Sequence, residues 1–159
     1  DGILRGYLTS RELAHVVREG RSRGCSRAEG YWNIPIIRIP NLSLMPGGSR
    51  FDDLVADTRD GIYMETNRSW SIDQLRLNFQ FGCEIGWEIK DGVLGRMVRN
   101  PTYTGIGPTF WASLDAVGGG DEWTVWGLPT CGKGQPLQVG HTGHHAAPCR
   151  FRDVRVGVR

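Results

Sequence analysis

Leu75-Arg76-Leu77-Asn78-Phe79-Gln80-Phe81-Gly82-Cys83-Glu84-Ile85-Gly86-Trp87-Glu88-Ile89-Lys90 alternates without a break: every odd position is apolar and every even one is polar or glycine. Side chains of a strand point to alternate faces, so this period of two predicts one long half-buried β-strand. At about 3.3 Å per residue it would reach roughly 50 Å if straight. Bending is therefore expected, with Gly82 and Gly86 as the places for a bulge. Asp91-Gly92 follows as a hairpin turn that tolerates positive φ, and Val93 to Arg99 is expected to return antiparallel.

Working outward, Ile3 to Leu8 reads as a strand. Ser10 is placed to cap a short helix with Leu13, Val16 and Val17 as its apolar stripe and Gly20 as its stop. Residues 21–33 read as a loop, and Ile34 to Ile39 and Leu42 to Met45 as short extended runs broken by Pro35 and Pro40. Ser49 is expected to cap a helix from Phe51 to Thr58, with Asp52 and Asp53 suited to its positive end. Gly61 to Glu65 is a strand. Thr102 to Pro108 reads as turns, Phe110 to Val117 as a helix ended by Gly118, Trp123 to Trp126 as a strand, and Arg150 to Val158 as a closing strand. The pattern predicts a mainly β (α+β) domain: a long antiparallel twisted sheet or barrel-like body with two or three short helices.

The 159 residues fit a single domain, 1–159, and 39% hydrophobic content excludes a disordered chain. With 23 glycines and six tryptophans, turns and aromatic packing are favoured over a helix bundle. A net charge of +2 is too weak to argue for nucleic acid. Arg18, Arg21, Arg23 and Arg27 are diluted by Glu19, Glu29 and glycine and read as a solvated loop. No apolar run is long enough to span a membrane. The four cysteines form no CxxC pair, which favours a reducing, cytoplasmic setting over a disulfide scaffold. The chain starts Asp1-Gly2-Ile3-Leu4 without a methionine, which reads as the turn and second strand of a hairpin whose first strand lies upstream, and so as a fragment of a longer protein.

Residues 127–148 show no periodicity, and a long stretch without regular structure inside a small domain is usually functional or disordered. It holds Cys131-Gly132-Lys133-Gly134-Gln135-Pro136. The glycines let backbone approach a ligand, and Lys133 places positive charge near a sulfur that could act as nucleophile or metal ligand, or simply as a small packing residue. The Walker pattern fails, because Lys133 precedes Gly134 and Pro136 breaks any helix. His141, His144 and His145 would align only on a helix, which Gly140 and Gly143 disfavour. Surface packing and a metal site with Cys149 both remain open for them. Glu84 and Glu88 read as solvated carboxylates.

Asp1-Gly2-Ile3-Leu4-Arg5-Gly6-Tyr7-Leu8, Arg38-Ile39-Pro40-Asn41-Leu42, Met45-Pro46-Gly47, Phe51-Asp52-Asp53-Leu54, Gly61-Ile62-Tyr63-Met64, Phe79 to Asn100 and Cys131-Gly132-Lys133-Gly134-Gln135 follow one another in an order and spacing that resembles the C-terminal domain of the TldD/PmbA family. Members are described as zinc metallopeptidases and as modulators of DNA gyrase. The resemblance implies a largely antiparallel β domain packed on its own N-terminal α/β domain. It also implies a homo- or hetero-oligomer with a family partner subunit, and an unfolded peptide substrate added as a strand. In the TldD-like branch two histidines of an HExxxH helix and a late cysteine hold Zn2+; by its Cys-Gly-Lys context Cys131 matches that cysteine. Such a set leaves one tetrahedral position for water, with the Glu as base. This chain has no HExxxH, so the resemblance implies that the helix and general base lie upstream, that no catalytic residue is in this chain, and that the fragment by itself is inactive and binds zinc weakly or not at all. A non-catalytic partner or peptide-binding regulatory module of the same family is the alternative.

Overall fold

The computed structural model describes residues 3–157. In chain order its elements are β1 (Ser26–Arg27), β2 (Ile36–Ile37), α1 (Phe51–Ala56), β3 (Asp60–Ile72), β4 (Asn78–Lys90), β5 (Val93–Arg99), β6 (Thr102–Ile106), α2 (Gly107–Ala112), β7 (Leu114–Val117), β8 (Thr124–Lys133), β9 (Gln138–Ala146), β10 (Cys149–Phe151) and β11 (Arg155–Gly157), with 3-10 turns at Ala14–Val17 and Gly120–Glu122. The fold is mainly β with antiparallel pairing in every sheet. The residues group into two compact units: one runs to Met45 and includes Thr124–Ala146, and the other holds Pro46–Trp123 and the residues from Ala147 on.

The second unit is built on β4. The expected strand is there, three residues shorter at its start. Leu75 and Leu77 belong to the turn entering it, where the Asp73 carboxylate accepts from the backbone N–H of Leu77 (2.9 Å) and Asn78 (2.8 Å). That turn outcompetes the ladder, so the first two apolar residues of the alternation stay exposed. Along one edge β4 pairs with β3 over its whole length, Asp60 against Lys90 to Ile72 against Phe79. Along the other it pairs first with β5, then with β6. Pro101, fully buried, sits where the partner changes, and the ladder carries on across the gap through Cys83 N–H to the Pro101 carbonyl at 2.9 Å. A sheet ordered β11-β6-β4-β3, with β5 also on β4, has open edges, so no barrel closes.

The register breaks near the glycines, but the extra residues lie on the neighbouring strands. The β3 register shifts between Asn67 and Ser69, opposite Cys83 and Gly82, and the β4–β5 register shifts between Trp87 and Ile89. Gly86 instead allows close approach: a β-carbon there would meet the Tyr63 carbonyl at 2.6 Å. The Asp91-Gly92 turn has φ of 48° and 78°, and Val93–Arg99 returns antiparallel as expected.

Aromatic rings cluster together: Phe79, Phe81, Tyr103 and Phe110 meet at centroid separations of 5.0–5.9 Å, and Phe151 stacks on Phe110 at 4.0 Å. Each such pair adds about 0.5–1.5 kcal/mol beyond its buried area. Helix α1 buries Leu54 and Val55. Its cap differs from expectation: Ser49 makes a parallel bridge with Gly118, and the carboxylate of Glu122 accepts from the Phe51 N–H at 2.9 and 3.1 Å. Two boundaries also move. Thr102–Ile106 is strand rather than turn, because β4 offers it a ladder, and the helix near Phe110 stops at Ala112, with Leu114–Val117 pairing to β10.

In the first unit the expected strand at Ile3 to Leu8 is irregular and largely exposed, and Asp1 and Gly2 lie outside the described residues, as does Val158. The helix expected after Ser10 shrinks to the 3-10 turn. Ser10 Oγ does accept from the Leu13 N–H at 3.2 Å, but Arg18 turns left-handed at φ 59° and ends it. Leu13 and Val16 therefore face solvent and Ala14 is the buried residue. Buried Thr9 organises residues 22–25: its hydroxyl accepts from the Arg23 N–H, and its carbonyl accepts from Ser22 Oγ and the Cys25 N–H. From there β1 pairs with β2.

Candidate functional site

The stretch expected to be without regular structure is instead a hairpin. Strand β8 pairs with β9 from Thr124 opposite Ala146 to Lys133 opposite Gln138, with Gly134 to Leu137 as its turn. Its residues show no alternation because β8 is exposed on both faces except at Cys131. The ladder is made of backbone bonds, which hydropathy does not report. The outer side of β9 is tied to residues 41–44: Gly143 N–H donates to Asn41 Oδ1 (2.9 Å), His145 N–H to Ser43 Oγ (3.1 Å), and Leu44 N–H to the His145 carbonyl (2.9 Å).

The register shifts between Leu128 and Cys131, so β8 carries one extra residue around Pro129-Thr130 opposite His141. Proline has no N–H to give a ladder and is confined to such irregular places. Bulges re-aim the side chains that follow them, and here the next residue is Cys131. Its ladder partner is Gly140. Cys131 is half-buried, a free thiol like Cys25, Cys83 and Cys149. The guanidinium of Arg38 covers it: Nη2 donates to the Cys131 carbonyl at 2.5 Å and lies 2.6 Å from its sulfur. Lys133 turns away, its Nζ donating to the Ile37 carbonyl at 2.9 Å. The positive charge at the sulfur therefore comes from Arg38, ninety-three positions away in the chain, and no local pattern could have pointed to it.

The three histidines are not gathered. On a strand, residues 141 and 145 face one side and 144 the other. His141 Nδ1 binds the Pro129 carbonyl and so clasps the bulge. His144 bonds Leu42 through Nδ1 and Thr142 Oγ1 through Nε2. His145 Nδ1 meets Ser43 Oγ at 3.1 Å. Each ring is engaged in packing the hairpin. Among the described residues no three of His, Cys, Asp and Glu are placed to hold a metal ion, and that includes the set His141, His144 and Cys149. Sulfur is a donor type that suits zinc, yet the described residues do not make up a zinc site. Glu84 and Glu88 are engaged with Arg68 and Arg96, and the Arg96 hydrogen bond holds the Glu88 carboxyl below its usual range.

The chain belongs to the family described as the PmbA/TldA metallopeptidase C-terminal domain, which it matches over residues 1–157. It is 32% identical over 158 residues to a metalloprotease of Methanothermobacter thermautotrophicus, covering 99% of this chain and 33% of that protein. It is 30% identical over 141 residues to the metalloprotease TldD homolog of Haemophilus influenzae, covering 88% of this chain and 29% of that one. The chain thus spans about a third of the length of these curated relatives. Its fold resembles that of TldE from Thermococcus kodakarensis, with a TM-score of 0.76 at 15% identity over 98% of this chain and 32% of that one. No helix among the described residues is long and apolar enough to cross a membrane.

Proposed function

We propose that this chain is the C-terminal domain of a cytoplasmic zinc-dependent peptidase acting on unfolded peptides or small proteins, to which it contributes Cys131 as one zinc ligand and the β8–β9 hairpin as part of the substrate cleft. The observation that carries the reading is that Cys131 follows a bulge directly and is half-buried, with a guanidinium against its sulfur. Relatives named metalloprotease and zinc metalloprotease support the chemistry. The remaining ligands and the general base belong to an upstream domain, on which this one packs, and the assembled protein works as a homo- or hetero-oligomer with a family partner subunit. Exposed strand edges suit a peptide bound by backbone hydrogen bonds, a mode with little sequence selectivity.

Two measurements test this. Metal analysis and a peptide-cleavage assay on the 159-residue chain are expected to give substoichiometric zinc and no turnover; stoichiometric zinc with cleavage overturns the division of labour. Reading the upstream frame is expected to reveal HExxxH. Its absence there would make the chain a non-catalytic partner or regulatory module instead.

A further inference from the structure

Two arginines meet the hairpin at the Cys131–Gly140 rung, and neither forms an ion pair among the described residues. Arg27 pairs with Ile36 in the β1–β2 ladder and Arg38 stands two residues beyond Ile36, so both side chains leave that ribbon on one face. Arg38 is 7% exposed and reaches Cys131. Arg27 lies flat on Gly140: a β-carbon built there would fall inside its guanidinium. Nε and Nη2 of Arg27 and Nε of Arg38 are buried without a hydrogen-bond partner. The ion pairs of the described residues use other arginines and Lys90. Glu29, two residues from Arg27, spends its carboxylate on the Val139 N–H at 2.8 Å.

A buried guanidinium without an anion is costly, and two at one rung repel each other. Such a pair persists where a ligand completes it. The planar fork of arginine matches a carboxylate in two parallel hydrogen bonds. We propose that Arg27 and Arg38 form a carboxylate-binding site on the β8–β9 hairpin, beside Cys131, that takes the carboxylate of a peptide, either its C-terminus or an acidic side chain. Gly140 is part of the site because any side chain there displaces Arg27. The site goes beyond the peptidase reading and does not require Cys131 to bind metal.

The test is titration of the 159-residue chain with acetate, tetra-alanine, its C-terminal amide, and an amidated peptide bearing one glutamate, followed by calorimetry and by the Nε–H resonances of the arginines. Acetate is expected to bind weakly and to shift the Arg27 and Arg38 signals. Tetra-alanine binding about tenfold tighter than its amide assigns the C-terminus; binding of the glutamate peptide at the strength of the free acid assigns the side chain. Arg27→Gln is expected to abolish the preference for carboxylate, and Gly140→Ala to weaken it about tenfold while leaving the charge in place. No response to any carboxylate at about 10 mM by the folded chain overturns the site, and so does equal carboxylate binding by folded Arg27→Gln and Gly140→Ala variants.

Discussion

One nitrogen of Arg38 touches Cys131 twice, 2.5 Å from its carbonyl oxygen and 2.6 Å from its sulfur. The residue that the family reading makes a ligand is thereby held at both backbone and side chain by a single guanidinium, from the β1–β2 side of its own unit. Replacing Arg38 with methionine keeps the bulk and removes the donors. The Cys131 carbonyl then loses its charged partner, and stability is expected to fall by about 1–3 kcal/mol. Arg38→Lys keeps a charged donor and should recover part of that loss, since one nitrogen makes both contacts. Urea unfolding of the three chains measures this; full stability in Arg38→Met would remove the contact from consideration.

Cys131→Ser probes the same place from the other side. The thiol is half-buried, so the exchange should change unfolding free energy by no more than about 0.5–1 kcal/mol. In the longer polypeptide that the peptidase reading requires, the same exchange is expected to lower zinc content and abolish cleavage. Unaltered zinc would remove Cys131 from the ligand set.

The Asp91-Gly92 turn admits little variation at its second position. Gly92 has φ of 78°, and a β-carbon there would meet the Ala56 carbonyl at 2.6 Å. Gly92→Ala is expected to cost about 1–3 kcal/mol. Gly95→Ala is the control: its β-carbon would find only the Glu88 carbonyl at 3.6 Å, an ordinary contact. Thermal melts of the two variants should differ clearly.

Glu122 caps α1 from seventy-one residues away by accepting from the Phe51 N–H. Glu122→Ala leaves that donor unpaired at the helix start, and an expected loss of about 0.5–2 kcal/mol follows. Ser49→Ala, by contrast, removes no cap and should be close to neutral.

Acid stability carries a contribution from Asp115. Hydrogen bonding from Arg150, with Arg152 adding to it, holds its carboxyl below the usual aspartate range. A group depressed in the folded state stabilises fully above the ordinary aspartate value near pH 4, and the contribution disappears as pH falls through the lower folded value. Asp115→Asn should therefore be less stable than the parent at pH 7 and converge on it toward pH 2. A constant gap across that window in pH-dependent urea melts would contradict the assignment.

The alternation from Asn78 to Lys90, the Asp91-Gly92 turn and the return strand to Arg99 were legible because each is a local signal: a period of two and a pair of residues that accept positive φ. The mainly β class followed from the same patterns. Of the hairpin of residues 124–146 only the start was legible, as the strand read at Trp123 to Trp126. Strand β8 is exposed on both faces except at Cys131, β9 is mostly half-buried without alternation, and the order of the pair comes from backbone ladders and from the side chains of Asn41 and Ser43. The short helices were overcalled where a ladder competed, as at Leu114–Val117, and the stripe Leu13, Val16 and Val17 was misread because it stays exposed and so gains no burial to reward a helix.

What the sequence by itself determined is the family, through the order of its short motifs, and the central β4 hairpin, because hydropathy and turn chemistry act between neighbours. Tertiary structure alone decided what surrounds Cys131: the bulge that turns it, Arg38 on its sulfur, and Arg27 laid across Gly140. Those contacts join segments some hundred residues apart, and charge, bulk and the absence of a side chain acquire meaning there only once the two ribbons are folded together.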